Sequence, residues 1–225
     1  MKKVLLLLAF VSCAASVSAQ RAMGHSTSFF SSERADQPIT FGIRAGVNFA
    51  GISESPNNSN YGGKIGYNAG ISVDFPLLES FYLQSGLYFT VKGAKYEESY
   101  VDYKYKESIN PFYLQLPILA SYRFNFSENT QLQVNVGPYF AVGLGGKFKE
   151  DEWDDGDTYY GEAKLFGENS RFKRGDVGLL IGAGVTFGKV YVGFDYGVGF
   201  MNLVKNSSNY SIKNNNFSIN VGYNF

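Results

Sequence analysis

Few side chains in this sequence have the means to do chemistry, and they are poorly grouped for it. There is one histidine, His25, and one cysteine, Cys13. An acyl-transfer or proteolytic centre needs a nucleophile held against a base. A lone His in a Ser-rich polar segment supplies no such pair, so the sequence argues against an enzyme. The run Glu150-Asp151-Glu152-Trp153-Asp154-Asp155-Gly156-Asp157 comes nearest to a metal site. Against the calcium-loop template, Asp151, Asp155, Gly156 and Glu162 take positions one, five, six and twelve. Trp153 stands where the third position needs an oxygen, and neither flank reads as a helix. The expectation is a solvated acidic loop tip, with no metal and no cofactor. Its aromatics, Trp153, Tyr159 and Tyr160, make it the candidate surface for an extracellular protein or glycan. Gly182-Ala183-Gly184 and Gly188 imitate a dinucleotide fingerprint, but the spacing is wrong and no helix follows.

A second set of polar residues falls on one face of apolar-patterned segments: Arg44, Asp74, Arg123 and Asp195, with Lys92, Tyr88, Gln84, Gln115 and Gln133. Those segments alternate strictly, the mark of strands with one apolar and one polar face. They run Ile39–Phe49, Lys64–Phe75, Phe81–Val91, Phe112–Phe124, Thr130–Val142, Asp176–Phe187, Val190–Met201 and Phe217–Phe225. Short connections (Pro76–Ser80, Asn125–Asn129, Gly188–Lys189) alternate with long ones, including Gly51–Gly63, Gly145–Gly175 and Asn202–Asn215. Within Tyr96–Asn110 the alternation Val101-Asp102-Tyr103-Lys104-Tyr105 suggests a hairpin prolonged beyond the barrel. Eight strands with alternately tight and long links predict an eight-stranded antiparallel up-and-down transmembrane β-barrel. Each strand reaches the roughly 9–11 residues that a tilted crossing needs. The even number puts both termini on the side of the short turns, the periplasm.

A soluble lipocalin-like barrel also alternates, but with its apolar face inward. Here bulky apolar groups recur on one face of every strand, and the other carries many Gly, too small to coat a soluble exterior. The sole Trp lies in the acidic loop. The 26 Gly, 17 Tyr and 20 Phe suit a barrel with small inward residues and aromatic girdles. An eight-strand interior is just wide enough to be filled by side chains. The charges within it are expected to form a salt-bridged plug, with a narrow polar conduit as the competing reading. Arg44 is expected to be neutralised by Asp195 first and Asp74 second.

Residues 1–19 read as a signal peptide: Lys2 and Lys3, then the apolar Val4–Phe10, then Val17-Ser18-Ala19 before cleavage. Cys13 is a poor lipidation site, because Phe10 misfits the preceding position and Ala19-Gln20 is a better cleavage point. Of 20 basic residues, loss of Lys2 and Lys3 leaves 18 against 20 acidic ones, a net charge of −2 that points to no nucleic acid. Residues 20–38 are polar and unpatterned, a flexible periplasmic leader, and 39–225 form the barrel domain. Past Gln20 no apolar run is long enough for a membrane-spanning helix. The expected location is therefore the outer membrane of a Gram-negative bacterium, with its lipid as one partner.

The segment Tyr113-Leu114-Gln115-Leu116-Pro117-Ile118-Leu119-Ala120-Ser121-Tyr122-Arg123 sets a Pro inside an otherwise good strand, usually the mark of a bulge or bend. It resembles the corresponding strand of the PorT-like outer-membrane β-barrel family of Bacteroidetes. The Gly-rich Phe41–Asn48 and the closing Phe217–Phe225, with Tyr223 and Phe225 as the signal read by the barrel-assembly machinery, extend the resemblance across Ile39–Phe225. It implies the fold and the location, and one branch of the family is linked to a protein-secretion system. Three roles follow as expectations. The first is a plugged barrel presenting external loops for envelope structure or partner binding. The others are a narrow porin-like channel for small solutes or ions, and an accessory part in secretion.

Overall fold

The computed structural model describes residues 37–55, 62–99, 103–127, 129–154, 157–167, 170, 172–205 and 210–225. The expected signal peptide, most of the expected leader, Cys13, His25, Val101, Asp155 and Gly156 lie outside the described residues. Ten strands follow in order: β1 Thr40–Ser55, β2 Gly62–Pro76, β3 Phe81–Val91, β4 Ala94–Ser99, β5 Tyr103–Ser127, β6 Thr130–Asp154, β7 Asp157–Lys164, β8 Gly175–Phe187, β9 Val190–Gly199 and β10 Ser211–Asn224.

Eight of them close a ring in which every neighbour is antiparallel: β1, β2, β3, β5, β6, β8, β9, β10 and back to β1. Closure removes the unpaired edges that would otherwise be left without hydrogen-bond partners in hydrocarbon. The closing ladder is long, from Gly42↔Asn224 to Ser55↔Ser211, and the amide of Phe225 donates to Phe41 O at 2.9 Å. The last strand thus begins at Ser211, six residues before the Phe217 expected from the alternation, because Ile212 and Asn214 point inward and pack there.

One end of the ring carries the tight links. Leu77 and Leu78 both donate to Phe81 O, and Gly188 turns β8 into β9 with φ +57°, the left-handed geometry of primed hairpin turns. The opposite end is taller than the alternation implied. More than half of the presumed loop 145–175 is strand, since β6 continues to Asp154 and returns as β7. The polar Tyr96–Asn110 segment is the β4–β5 hairpin. Strands β5 and β6 are each 25 residues long, roughly 80 Å of chain, well beyond a tilted crossing of the hydrocarbon.

Side-chain direction decides between the membrane and soluble readings. Phe41, Ile43, Val47 and Phe49 of β1 are exposed, while Arg44 and Asn48 between them are buried. The same holds around the ring, with Ile71, Val134, Ile181, Val192 and Ile219 all facing outward. The exterior is apolar and the interior polar. Aromatics gather at both limits of this wall: Phe81, Tyr122 and Phe124 toward the turn end, with centroids 4.7 and 4.4 Å apart, and Phe49, Phe217 and Phe194 toward the hairpin end. These are the girdles expected where a barrel meets both membrane interfaces.

Pro117 does not mark a bulge. The register is the same on both sides of it in each ladder, and the missing donor only interrupts pairing locally while Ser85 Oγ donates to Pro117 O at 2.8 Å. The register shift lies instead at Phe112/Tyr113, where Leu144 of β6 is left unpaired.

Because β10 closes the ring and Tyr223 packs edge-on against Phe225 at 5.6 Å, Tyr223→Asp with Phe225→Asp puts two carboxylates into the lower girdle. The double variant is expected to lose the folded, heat-modifiable band in cold gel electrophoresis of outer membranes. A normal band at normal abundance would show that this strand end is dispensable for assembly.

Candidate functional site

The barrel interior is the site toward which most of the singled-out residues converge. It is built in three layers. Nearest the turn end, Arg123 Nη2 lies 2.7 Å from Asp74 Oδ2, and Gln84 Nε2 donates to Asp74 Oδ1 at 2.8 Å. The guanidinium also sits 4.0 Å above the Tyr82 ring, and the Tyr82 hydroxyl bonds Gln37 Oε1. Neighbouring strands supply these groups: β2 and β3 pair Asp74 with Gln84, and Arg123 comes from the adjacent β5.

Arg44 does not pair with Asp195. Its guanidinium stacks on the Tyr191 ring at 3.6 Å, and Nη2 reaches Asn224 Oδ1 only at 3.5 Å. Register explains this. Arg44 stands opposite Gly222, and Gly222 opposite Tyr191. A Cβ on Gly222 would lie 2.9 Å from Arg44 Cγ, so the missing side chain leaves the path by which arginine reaches the ring. Asp195 instead shares a row with Ser218 and Asn48, four residues along β1 from Arg44. Asp74, the second expected partner, is taken by Arg123.

The middle layer is a web of amides. Asn220 Nδ2 donates to Asp195 Oδ2 at 2.7 Å, Asn68 Nδ2 donates to Asn48 Oδ1 and Asn220 Oδ1, and Asn48 Nδ2 donates to Thr90 Oγ1. Its members were readable only as polar residues of inward parity. A cavity of about 60 Å³ lies among these groups, lined in part by Arg44, Tyr88, Lys92 and Asp195. That is room for a few water molecules and too little for a solute.

Of the top layer, the alternation picks out Lys92 but not Asp176, which opens its strand. Its even numbering on β8, shared with the buried Gly178 and Gly182, was the available signal. Lys92 Nζ lies 3.2 Å from Asp176 Oδ2, the two side chains being 3 % and 0 % exposed. The Tyr139 hydroxyl and Asn214 Nδ2 also donate to that oxygen, at 3.3 and 2.9 Å, and the ammonium rests 4.5 Å from the Tyr139 ring. Above it, Leu165 and Phe166 fold onto Tyr113, Ile109 and Ala141, with Phe166 edge-on to Tyr113 at 6.0 Å. Gly143 makes this possible, since a Cβ there would lie 2.5 Å from the Phe166 ring. Nothing in a period-two pattern marks Leu165 and Phe166 as a lid.

The aromatic loop residues sit on the β6–β7 hairpin, and the structure splits them. Trp153 faces Thr158, and Tyr160 faces Asp151 two residues along β6 from Trp153, which places Trp153 and Tyr160 on one face of the hairpin. Tyr159, opposite Glu152, is on the other. They are 42 %, 80 % and 62 % exposed, respectively. Of the calcium-template residues, Glu162 is held by Lys147 and Lys149 at 2.6 and 3.7 Å. The described His, Cys, Asp and Glu residues form no metal-ligating group.

A family model described as an outer membrane protein beta-barrel domain matches residues 19–205. Among solved structures, the chain is similar to Ail, the attachment invasion locus protein of Yersinia pestis, crystallised with the heparin analogue sucrose octasulfate. That similarity has 14 % identity, 84 % of this chain and 100 % of that one, and a TM-score of 0.41. Neisserial surface protein A gives the same figures, and OprG from Pseudomonas aeruginosa 10 % identity, 83 % and 95 % coverage and a TM-score of 0.40. No curated protein matches the chain.

Removing one member of a dry ion pair strands the other charge, at a cost of about 3–5 kcal/mol. Asp74→Leu is therefore expected to lower unfolding stability by that order in urea titrations from detergent or lipid, and Arg123→Leu likewise. The double variant should lose much less than the sum, and Arg44→Leu with Asp195→Leu should show a weaker coupling, because those two charges act on each other without forming an ion pair. Additive losses at Asp74 and Arg123 would show their pair to be solvated.

Proposed function

The chain belongs to the outer-membrane protein β-barrel family, and on that footing we propose that its barrel is a plugged anchor for external hairpins. The observation that carries this is the stacking of the three lumen layers, which leaves only about 60 Å³ between them. In this reading residues 1–19 direct export, residues 20–38 remain periplasmic, and residues 39–225 form the barrel. The turn end faces the periplasm, and the β4–β5 and β6–β7 hairpins stand outside the cell. The resemblance of Tyr113–Arg123 supports placing the chain in the PorT-like branch, while an accessory secretion role rests on that resemblance alone. The assignment is non-enzymatic: a rigid wall holds recognition hairpins at a fixed height. Trp153 and Tyr160, exposed on one face of β6–β7, are the anchors for a protein or glycan partner, since aromatic side chains dominate the energy of such contacts.

One observation favours a narrow conduit instead. Arg44 Nη1 is buried without a hydrogen-bond partner and borders the cavity, so the polar web is not fully closed there. Planar-bilayer recording separates the two readings. The refolded protein is expected to show no stable openings, and Phe166→Gly should remain silent because the Lys92–Asp176 layer lies beneath the lid. Openings well above background that Arg44→Ala or Asp195→Ala alters would establish a channel. Trp153→Ala with Tyr160→Ala should abolish photocrosslinks from the hairpin to its partner in intact envelopes, with heat-modifiable migration unchanged. Crosslinks that survive would place the contact elsewhere.

A further inference from the structure

The outer wall of the long strands changes character abruptly toward the hairpin end. Along β5 the outward residues run Phe124, Tyr122, Ala120, Ile118, Leu116, Leu114 and Phe112, and then Asn110, Ser108 and Lys106. Along β6 they run Leu132, Val134, Val136, Phe140 and Val142, and beyond the bulge Lys147 and Lys149. Directly opposed residues on antiparallel strands share a face, and the register sorts the first polar rows. Asn110, Lys147 and Lys164 form the lowest, and Lys95, Ser108, Lys149 and Glu162 the next. Lys64 adds its charge to the second row by donating to Ser108 Oγ at 2.6 Å.

These two rows hold five lysines and one carboxylate. Glu162 serves both Lys147 and Lys149, leaving the row in positive excess, and Lys95 and Lys164 make no ion pair among the described residues. Glu162, hydrogen-bonded by Lys147, titrates below the usual carboxylate range and stays ionised. Further out the signs mix. Glu97 bonds Lys106 at 3.2 Å beside Asp151, so the positive excess is confined to the rows that adjoin the apolar wall. Five cations crowded into two rows, with one carboxylate between them, are only partly compensated by the protein itself.

We propose that this lysine belt binds the phosphates on the headgroups of the outer-leaflet lipid in which the barrel is seated. The occupant follows from position. The belt begins where the lipid-facing residues end, at the depth where headgroup phosphates lie, and it faces outward on the same wall. A basic group beside an anionic surface gains from each lysine, and long lysine stems let the ammonium groups reach toward headgroups while their methylenes cover the upper apolar rows. Binding would fix the height of the barrel and brace the β4–β7 hairpins upright. The proposal rests on the reading that the hairpin end faces outward.

The test uses the mature protein refolded in zwitterionic phosphocholine micelles. Native mass spectrometry follows retention of bisphosphorylated lipid A, of the same lipid dephosphorylated, and of a sulfated oligosaccharide. The wild type should retain the bisphosphorylated form and release the dephosphorylated one. K95Q/K147Q/K149Q/K164Q should weaken retention by at least about tenfold, conservative for four lysines that each contribute roughly a factor of five at an anionic surface. The matching arginine variant should restore it, and K189Q, at the turn end, should leave it unchanged. Should the quadruple glutamine variant fail to fold, the selectivity of the wild type between the two lipids decides alone. Equal retention of both lipids, an unaffected glutamine variant, or displacement of the lipid by the oligosaccharide would overturn the proposal. Trypsin cleavage of the hairpins on intact cells reads the orientation separately, so failure of that premise is told apart from failure of binding.

Discussion

Everything in this molecule answers to one constraint: an eight-strand ring has an interior that side chains must fill, with almost no water to satisfy them. A buried donor or acceptor without a partner costs roughly 1–3 kcal/mol, and a charge costs more. The inner face is polar because the outer face must be apolar in lipid, so the chain must satisfy many inward groups without solvent. It does so by meeting each acid with an amide or hydroxyl donor and, at Asp74 and Asp176, with a cation as well. Asp74 takes Arg123 and Gln84, Asp195 takes Asn220, and Asp176 takes Lys92, Tyr139 and Asn214. A tightly packed lumen is the direct consequence.

The same constraint sets how much was legible. Parity along a strand is dictated by lipid on one side and side-chain packing on the other, so the eight crossing segments and the inward direction of Arg44, Asp74, Arg123 and Asp195 could be read from alternation alone. Partner choice could not, because it depends on register between strands far apart in sequence. Arg44 and Asp195 have the right parity and sit two strands apart, yet a four-residue offset separates them. The β4–β5 and β6–β7 hairpins were under-read for another reason. Above the membrane both faces of a strand are polar, the apolar beat fades, and only cross-strand pairs such as Glu97 with Lys106 remain to hold the ladder. Leu165 and Phe166 were illegible as a lid, since their burial depends on Gly143 of a different strand.

The lumen and the hairpins are mechanically one object. Strands β5 and β6 run unbroken from the turn end to the tips, pairing from Ser127↔Thr130 up to Tyr103↔Asp154 with shifts only at its lower end and beside Leu144. A hairpin that grows out of a membrane wall inherits its stiffness, which would lower the entropic cost of contacts made by Trp153 and Tyr160 in the proposed recognition role. The bulge at Leu144 falls where apolar outward residues give way to lysines. Bulges increase local twist and bend a strand, so this one re-aims the wall as it leaves the hydrocarbon.

Buried ion pairs are poor sources of stability, and hydrophobic replacements of similar volume are often neutral or better. The retention of buried charged groups such as Arg44 and Asp195 is explained by register. A one-residue slip of β1 against β10 would turn Arg44 and Asn48 into lipid and Val47 and Phe49 into the lumen, reversing every face at once. A two-residue slip preserves the faces and so needs a finer guard. It would move Arg44 from Gly222 to face Asn220 or Asn224, whose side chains close the path to Tyr191. Asp195 stands opposite Gly182, where an added Cβ would come within 2.0 Å of its Oδ1. A two-residue slip toward Leu180 would set that carboxylate against a bulky apolar group. Large polar groups set against glycines thus admit one alignment and penalise its neighbours, a function that an interior of uniform apolar packing would not perform.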